Sequence, residues 1–307
     1  MEIKYLKDKE IDLSRWDKCI EKSVNGNIFG FSWYLNILSE CWDALIAGNY
    51  EAVMPLIKSR GENSRFLVQP YFGRQLGLYS RNVLTNNLVN NFISAIPKKY
   101  KHIDFNLNKY NELSNYSDEM IVSHEKIFCL DLIQSYSKIR QKYSPGIINK
   151  LNNAEEENVI VLRGLLPNDL LSLYARFQIP KIDAPEEDFE KLRKIISHAI
   201  RYRMGEIYGA YSLVNNFCGG IFIISSHQKL IVLFTALSNE GLENDSHYKL
   251  IDHIIRSYSE KNITLVFDRF DGAFDAELYK EFGAKEFTFQ RIKIDKLPWY
   301  MYPFTKK

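Results

Sequence analysis

The same order of secondary-structure elements is legible twice along this chain. In the first half a strand (Met1–Leu6) is followed by helices from Asp12 and over Phe31–Cys41. Three strands come next, at Trp42–Ala47, Glu51–Ile57 and Arg65–Tyr71, with Gly48-Asn49 marking a hairpin. Thr85 then caps a helix carrying Leu88, Phe92 and Ile96, and His102–Asn108 is a strand. The second half repeats this order. It has a strand at Val159–Leu162, a helix from Pro167, and a helix over Glu186–Met204 with Phe189, Leu192, Ile196 and Ile200 inward. Strands follow at Ile207–Val214, Gly219–Ile224 and Leu230–Ala236, then a helix over Ser246–Lys261 and a strand from Ile263. A repeat of this length predicts two similar domains, residues 1–134 and 159–307. The polar, helical stretch 135–158 joins them, interrupted at Ser144-Pro145-Gly146.

The sharpest local pattern is Ile263–Lys285, ITLVFDRFDGAFDAELYKEFGAK. Ile263, Leu265 and Phe267 alternate with polar or outward positions, which is the period of a strand. Phe274, Leu278 and Phe282 recur every four residues on one helical face, and Gly283 stands where a left-handed cap ends a helix. Asp268, Arg269 and Asp271 gather at the carboxyl end of that strand, where α/β sheets commonly hold their sites.

Composition narrows the class. With 40 Lys and Arg against 38 Asp and Glu, the formal net charge is only +2, a field that does not by itself demand nucleic acid or membrane. The four cysteines, Cys19, Cys41, Cys129 and Cys218, are scattered without a CxxC pair, as expected of small buried side chains in a reducing compartment. The N-terminus has no apolar leader and no eighteen-residue apolar run occurs, so the expectation is a cytoplasmic chain without a membrane span. The six histidines show no HExxH or other tight metal spacing, so no metal site is expected. No GxSxG elbow, P-loop or GxGxxG follows a strand, and nothing points to a hydrolase or an oxidoreductase.

The element order resembles the GNAT superfamily of N-acyltransferases, and its tandem form resembles the Fem-type peptidoglycan aminoacyltransferases. AELYKEFGA (Ala276–Ala284) is similar to the superfamily's closing segment, a tyrosine a few residues before a glycine. YEAVMPL (Tyr50–Leu56) and QPYFGRQLG (Gln69–Gly77) are similar to a bacterial Fem-like branch. The resemblance implies an α/β (α+β) fold of two GNAT-like domains, each a mixed sheet flanked by helices. In each, two parallel central strands open into a V. It also implies a polar groove between the domains and transfer of an acyl or aminoacyl group to an amine without a metal. The donor would be acyl-coenzyme A or aminoacyl-tRNA, and the acceptor a small molecule or peptide. Tyr279 matches the superfamily's proton donor to the leaving group. Asp268 and Arg269 would orient substrate or relay a proton.

Two loops test that analogy. Coenzyme A enzymes of this fold cradle a diphosphate on a glycine-rich loop before a helix N-terminus. Here the second-half loop is LSNEGLENDS (Leu237–Ser246), with one glycine and the carboxylates Glu240, Glu243 and Asp245. Each carboxylate opposes a diphosphate by on the order of a kcal/mol at short range. The first-half loop, FGRQLGLYSR (Phe72–Arg81), carries Gly73, Gly77, Arg74 and Arg81 and no acid, and is the better place for a phosphate-bearing acceptor. Gln69, Tyr71, Arg74, Gln75, Gly77 and Arg81 are therefore the expected substrate-binding set. The linker YSPGIINKLNNAEEE has a single lysine, Lys150, where Fem-like relatives are basic, which weakens tRNA binding. Arg193, Lys194, Arg201 and Arg203 read as a solvated helix face. The expected function is an N-acyl- or aminoacyltransferase. The alternative is a catalytically inactive GNAT-fold protein that keeps a ligand-binding groove.

Overall fold

The computed structural model describes residues 2–59, 65–114, 116–177, 186–268 and 277–296. Contacts divide the chain into two units, Met1–Lys126 with Thr288–Lys307, and Ile127–Phe287. The division differs from the boundaries expected from the repeat: the last strand begins in the second unit and continues in the first. Its residues from Thr288 onward belong with residues 1–126 because their ladder partner is His102–Asn106.

In the first unit, β1 (Ile3–Leu6), β2 (Trp42–Ala47), β3 (Ala52–Ile57) and β5 (Tyr79–Ser80) form an antiparallel sheet in the order β1-β2-β3-β5. Helices α1 (Leu13–Lys22) and α2 (Ser32–Leu38) lie between β1 and β2 in the chain. The Asp12 side chain caps α1 by accepting from Arg15 N–H. β4 (Phe66–Val68) leaves that sheet to pair in parallel with β6 (His102–Asn106). Between them runs α3 (Asn86–Ser94), capped as expected by Thr85, which accepts from Leu88 N–H at 3.2 Å. The third strand is much shorter than Arg65–Tyr71, because Pro70 offers no N–H to a ladder. β7 (Met120–Asp131) then carries the chain into the second unit.

The expected joining helix is two: α4 (Tyr136–Arg140) and α5 (Pro145–Glu156). Ser144 caps α5 and Pro145 starts it, where a missing N–H is no loss. Then follow β8 (Ile160–Arg163), α6 (Pro167–Phe177), α7 (Glu186–Arg201), β9 (Gly205–Tyr211), β10 (Phe217–Ser226), β11 (Lys229–Leu237), α8 (Asn239–Glu243), α9 (Ser246–Tyr258), β12 (Thr264–Phe267), α10 (Leu278–Glu281) and β13 (Lys285–Asp295). The second unit's mixed sheet runs β8-β9-β10-β11-β12-β7, antiparallel except for the parallel β11/β12 pair. Leu230–Phe234 are all buried, as their unbroken apolar run predicts. Leu250, Ile251, Ile254 and Ile255 of α9 bury the expected stripe against that sheet. On α7 the inward stripe is Leu192, Ile195, Ile196 and Ala199. Ile200, expected inward, is among the exposed large hydrophobics, since it lies about 80° from Leu192 and about 140° from Ile195, at the margin of the stripe. Phe274 lies outside the described residues.

A buried carboxylate ties the first unit's antiparallel sheet together. Asp43 of β2 accepts from the hydroxyls of Tyr5 and Tyr100 (2.6 Å for the latter), from Lys58 Nζ (3.0 Å) and from Asp8 N–H (3.2 Å). Burial alone would raise its pKa; the hydrogen bonds from Tyr100, Tyr5 and Lys58 outweigh it and hold the carboxyl below the ordinary value. The group is therefore charged in the fold at neutral pH. Its contribution is complete above the unfolded pKa, near 4, and is lost as pH falls through the lower folded value. Asp43→Ala leaves Lys58 without its buried countercharge and should lower unfolding stability by about 3–5 kcal/mol. Urea melts at pH 7 measure this, and the gap between wild type and variant should narrow as pH falls below 4.

Candidate functional site

The second unit's sheet opens where the parallel pair ends. β11 and β12 are in register from Lys229↔Thr264 to Val232↔Phe267 and no further. On the other side of β11 a bulge falls at the same place: Phe222 pairs with Phe234, Ile223 with Val232, and Leu233 is the extra residue. A bulge adds local twist and swings the strand away from its neighbour. Among the described residues, Leu233–Leu237 continue on β10 alone, leaving one backbone edge outside the ladder.

Two expected site residues stand at this opening. Asp268 follows β12 directly and is 2% exposed. Tyr279 of α10 stacks on Phe267, the last β12 residue, with ring centroids 4.1 Å apart and planes at 19°. It is 3% exposed and also meets the Phe128 ring. Gly283 ends α10 with φ +86°, the left-handed position its sequence predicts. Arg269 lies outside the described residues.

The N-terminus of α9 is occupied by the chain's own groups. Asp245 precedes the helix in the left-handed region (φ +57°) and is 5% exposed. Its carboxylate takes Asn153 Nδ2 at 2.8 Å and Lys150 Nζ at 3.1 Å, both from α5. Asn244 Oδ1 accepts from Ser246 N–H and Oγ–H. The Tyr248 and Lys249 N–H groups are donated to Asp245 C=O. Hydrogen bonding to Asp245 raises the Lys150 pKa and keeps it cationic. In α8, Gly241 packs on β10 so closely that a Cβ would lie 2.0 Å from Cys218 C=O. The Ser246, Tyr248 and Lys249 amides, which a diphosphate at this terminus would need, are thus already hydrogen-bonded within the chain, beside the buried Asp245 carboxyl group.

The first-half set is divided by the structure. Residues 69–78 fill the space between β5, which returns to β3, and β4, which pairs with β6. Leu76 bridges Leu107 beyond the β4/β6 ladder. Buried side chains replace the missing ladder here. Asn27 Nδ2 and Tyr79 Oη–H donate to Gln75 C=O at 3.1 and 3.0 Å. Asn25, Asn108 and Asn111 each donate to Leu78 C=O. Gly77 sits at φ +85°, and a Cβ there would lie 2.4 Å from Asn111 Oδ1. Gln75 and Gly77 therefore hold the loop. Arg81, beyond it, is exposed, and its N–H donates to Glu51 C=O. Tyr71 is half-buried with its ring edge-on to Phe72. Gln69 Oε1 accepts from Asn106 N–H at 2.7 Å while its amide donates to Gly73 C=O. Arg74 pairs with Glu125 at 3.5 Å. Gln69 and Arg74 are thus gathered with β6 and β7, and Asn106 and Glu125 join them. Neither was legible as a site residue, because only the ladder sets their strands beside the loop.

The fold of the chain is similar to that of FemX. FemX superimposes on the chain with a TM-score of 0.60 over 100% of both chains at 11% identity. A conserved protein of unknown function from Bacteroides thetaiotaomicron gives 0.59 at 11% identity, covering 95% of this chain and 99% of that one. L-PGS from Bacillus licheniformis gives 0.55 at 10% identity, covering 95% and 94%. The sequence matches no protein-family model and no curated protein. No helix among the described residues is long and apolar enough to cross a membrane.

Because the α9 N-terminus is committed, coenzyme A at a millimolar should leave the melting temperature unchanged within about 1 °C, whereas a ligand at 100 times its Kd would add about 2.7 kcal/mol. Differential scanning fluorimetry makes the comparison, and a shift of several degrees would show the α9 N-terminus open to a diphosphate.

Proposed function

We propose that this chain is an acyl- or aminoacyltransferase that forms an amide on an amine-bearing acceptor, with the transfer at the opening between β11 and β12. The observation that carries the reading is the parting of that parallel pair at the Leu233 bulge, with Asp268 and Tyr279 at its mouth. The full-length likeness to FemX supports the fold on which such a site is built. Aminolysis of an activated ester asks little of a protein: alignment, donors for an oxyanion, and a proton for the leaving group. The neutral amine attacks the acyl carbon and a C–N bond forms. N–H groups on the free edge of Leu233–Leu237 donate to the oxyanion. The bond to the leaving oxygen or sulfur then breaks, and Tyr279 Oη–H supplies its proton. Asp268 accepts a proton as the attacking nitrogen loses its charge.

The donor that fits best is an ester without a diphosphate against α9, which favours an aminoacyl-tRNA over an acyl-coenzyme A. The same occupied terminus, and the near-complete burial of Tyr279, favour a second reading in which the opening binds a ligand without turning it over.

Tyr279→Phe keeps the ring on Phe267 and removes only the hydroxyl. On the transferase reading kcat should fall by about 10²-fold or more with KM nearly unchanged, measured with aminoacyl-ester donors and an amine acceptor. Equal kcat in variant and wild type removes Tyr279 from the chemistry. Absence of turnover with every ester and thioester donor supports the ligand-binding reading instead.

A further inference from the structure

The first unit holds a polar cluster that the transfer step does not use. On β6, Ile103 and Phe105 face the core, so Asp104 and Asn106 share the opposite face. Asn106 stands directly across from Arg291 of β13. The Arg291 guanidinium grips Asp104 with two hydrogen bonds, 2.7 and 3.0 Å, and approaches Glu125 at 3.8 Å. Arg74 reaches the same Glu125 at 3.5 Å and lies 5.6 Å from the centre of the Phe289 ring. Two guanidiniums and two carboxylates thus alternate over one strip of sheet, and their charges cancel. Asn106 is 5% exposed, and its Oδ1 has no hydrogen-bond partner among the described residues. Gln69 does not serve it, since Gln69 Oε1 takes the Asn106 N–H and its amide group is turned to Gly73 C=O. A buried acceptor left without a donor is destabilising, and a fold retains one most readily where a ligand supplies the donor.

We propose that Asn106, Arg74, Glu125, Arg291 and Asp104 form a subsite for a zwitterionic amino-acid or peptide end, its ammonium donating to Asn106 Oδ1 and Glu125 and its carboxylate accepting from Arg74. A polyanion fits worse, because a phosphate at Arg74 brings no cation to compensate the Glu125 carboxylate beside it, whereas the zwitterion's ammonium does. This ligand differs from the phosphate expected at the Phe72–Arg81 loop. The inference rests on the transferase reading only where it makes this ligand the acceptor; the binding itself needs no donor and no turnover.

The test is equilibrium titration of the full chain with glycylglycine, its N-acetyl form, its C-terminal amide and uridine diphosphate, by heteronuclear NMR. Wild type should bind glycylglycine, and each blocked form should bind about tenfold more weakly, the equivalent of one lost charge-assisted contact. Asn106→Leu replaces the unpartnered oxygen with a group of similar shape, so it should melt at or above wild type and yet bind about tenfold more weakly. Asn106→Asp keeps the acceptor and adds charge, so it should bind the ammonium at least as well; it carries the test if Asn106→Leu does not fold. The proposal is overturned if wild type shows no glycylglycine binding, if the blocked forms bind equally well, if Asn106→Leu binds as wild type does, or if uridine diphosphate displaces glycylglycine. None of these outcomes involves Tyr279 or a donor, so failure here is distinct from failure of the transfer chemistry.

Discussion

A parallel strand pair that stops part-way leaves backbone N–H and C=O groups needing new partners, and much of this structure answers that need. In the first unit the answer is internal. Residues 69–78 enter between the parting strands, and Asn25, Asn27, Asn108, Asn111 and Tyr79 satisfy their carbonyls. Buried asparagines are costly unless fully hydrogen-bonded, and here most of their bonds run to backbone, which fixes the loop in one shape. In the second unit the parting occurs at a bulge, so the edge of β11 swings away from β12, and among the described residues Phe234–Leu237 pair with β10 alone. The two units thus meet the same backbone need in different ways.

The same contrast explains why the phosphate expectation moved. From the sequence, the acid-free loop with two arginines is the natural anion site and the acidic loop the unnatural one. In the second loop, Asp245 is buried against Lys150 and Asn153. For the first loop, the sequence omits long-range pairing. Glu125 is 51 positions from Arg74 in the chain and carries no local signal, yet it stands 3.5 Å away and neutralises it. A guanidinium already paired in a half-buried setting is a geometric element first and an anion receptor only after its partner is displaced.

Periodicity made the elements legible. The alternation of His102–Asn106, the α9 stripe and the glycine stop at Gly283 all stand where side-chain spacing puts them, because local sterics and one buried face suffice to set them. What periodicity could not give was the pairing between distant segments. The path of β13 from one unit to the other, the early end of β4 and the entry of residues 69–78 all depend on contacts far apart in the chain. Ile200 shows the same limit on a smaller scale: an apolar residue at the margin of a helical stripe turns out exposed, while Ala199 beside it is fully buried. Asn106 is the extreme case, since nothing in HIDFNLN distinguishes it until its neighbours are known to leave Oδ1 without a donor.

On the proposed reading, a fold shared with FemX at 11% identity fits how little the chemistry asks of side chains. Amide formation from an activated ester draws on backbone donors and alignment, which follow from the sheet's shape and survive wide substitution so long as the bulge and the parting of the strands survive. Specificity is different, because it needs particular charges in particular places. Among the described residues, the second unit's opening is framed by strand edges, buried rings and Asp268, and the alternating charges of Arg74, Glu125, Arg291 and Asp104 lie in the first unit. On the proposed reading, the backbone edge of Leu233–Leu237 serves the acyl group and the first unit's charge pattern serves the acceptor. On that same reading, substitutions along the Asp104–Asn106 strip would change the acceptor while leaving the Leu233 bulge and the parting of β11 and β12 unchanged.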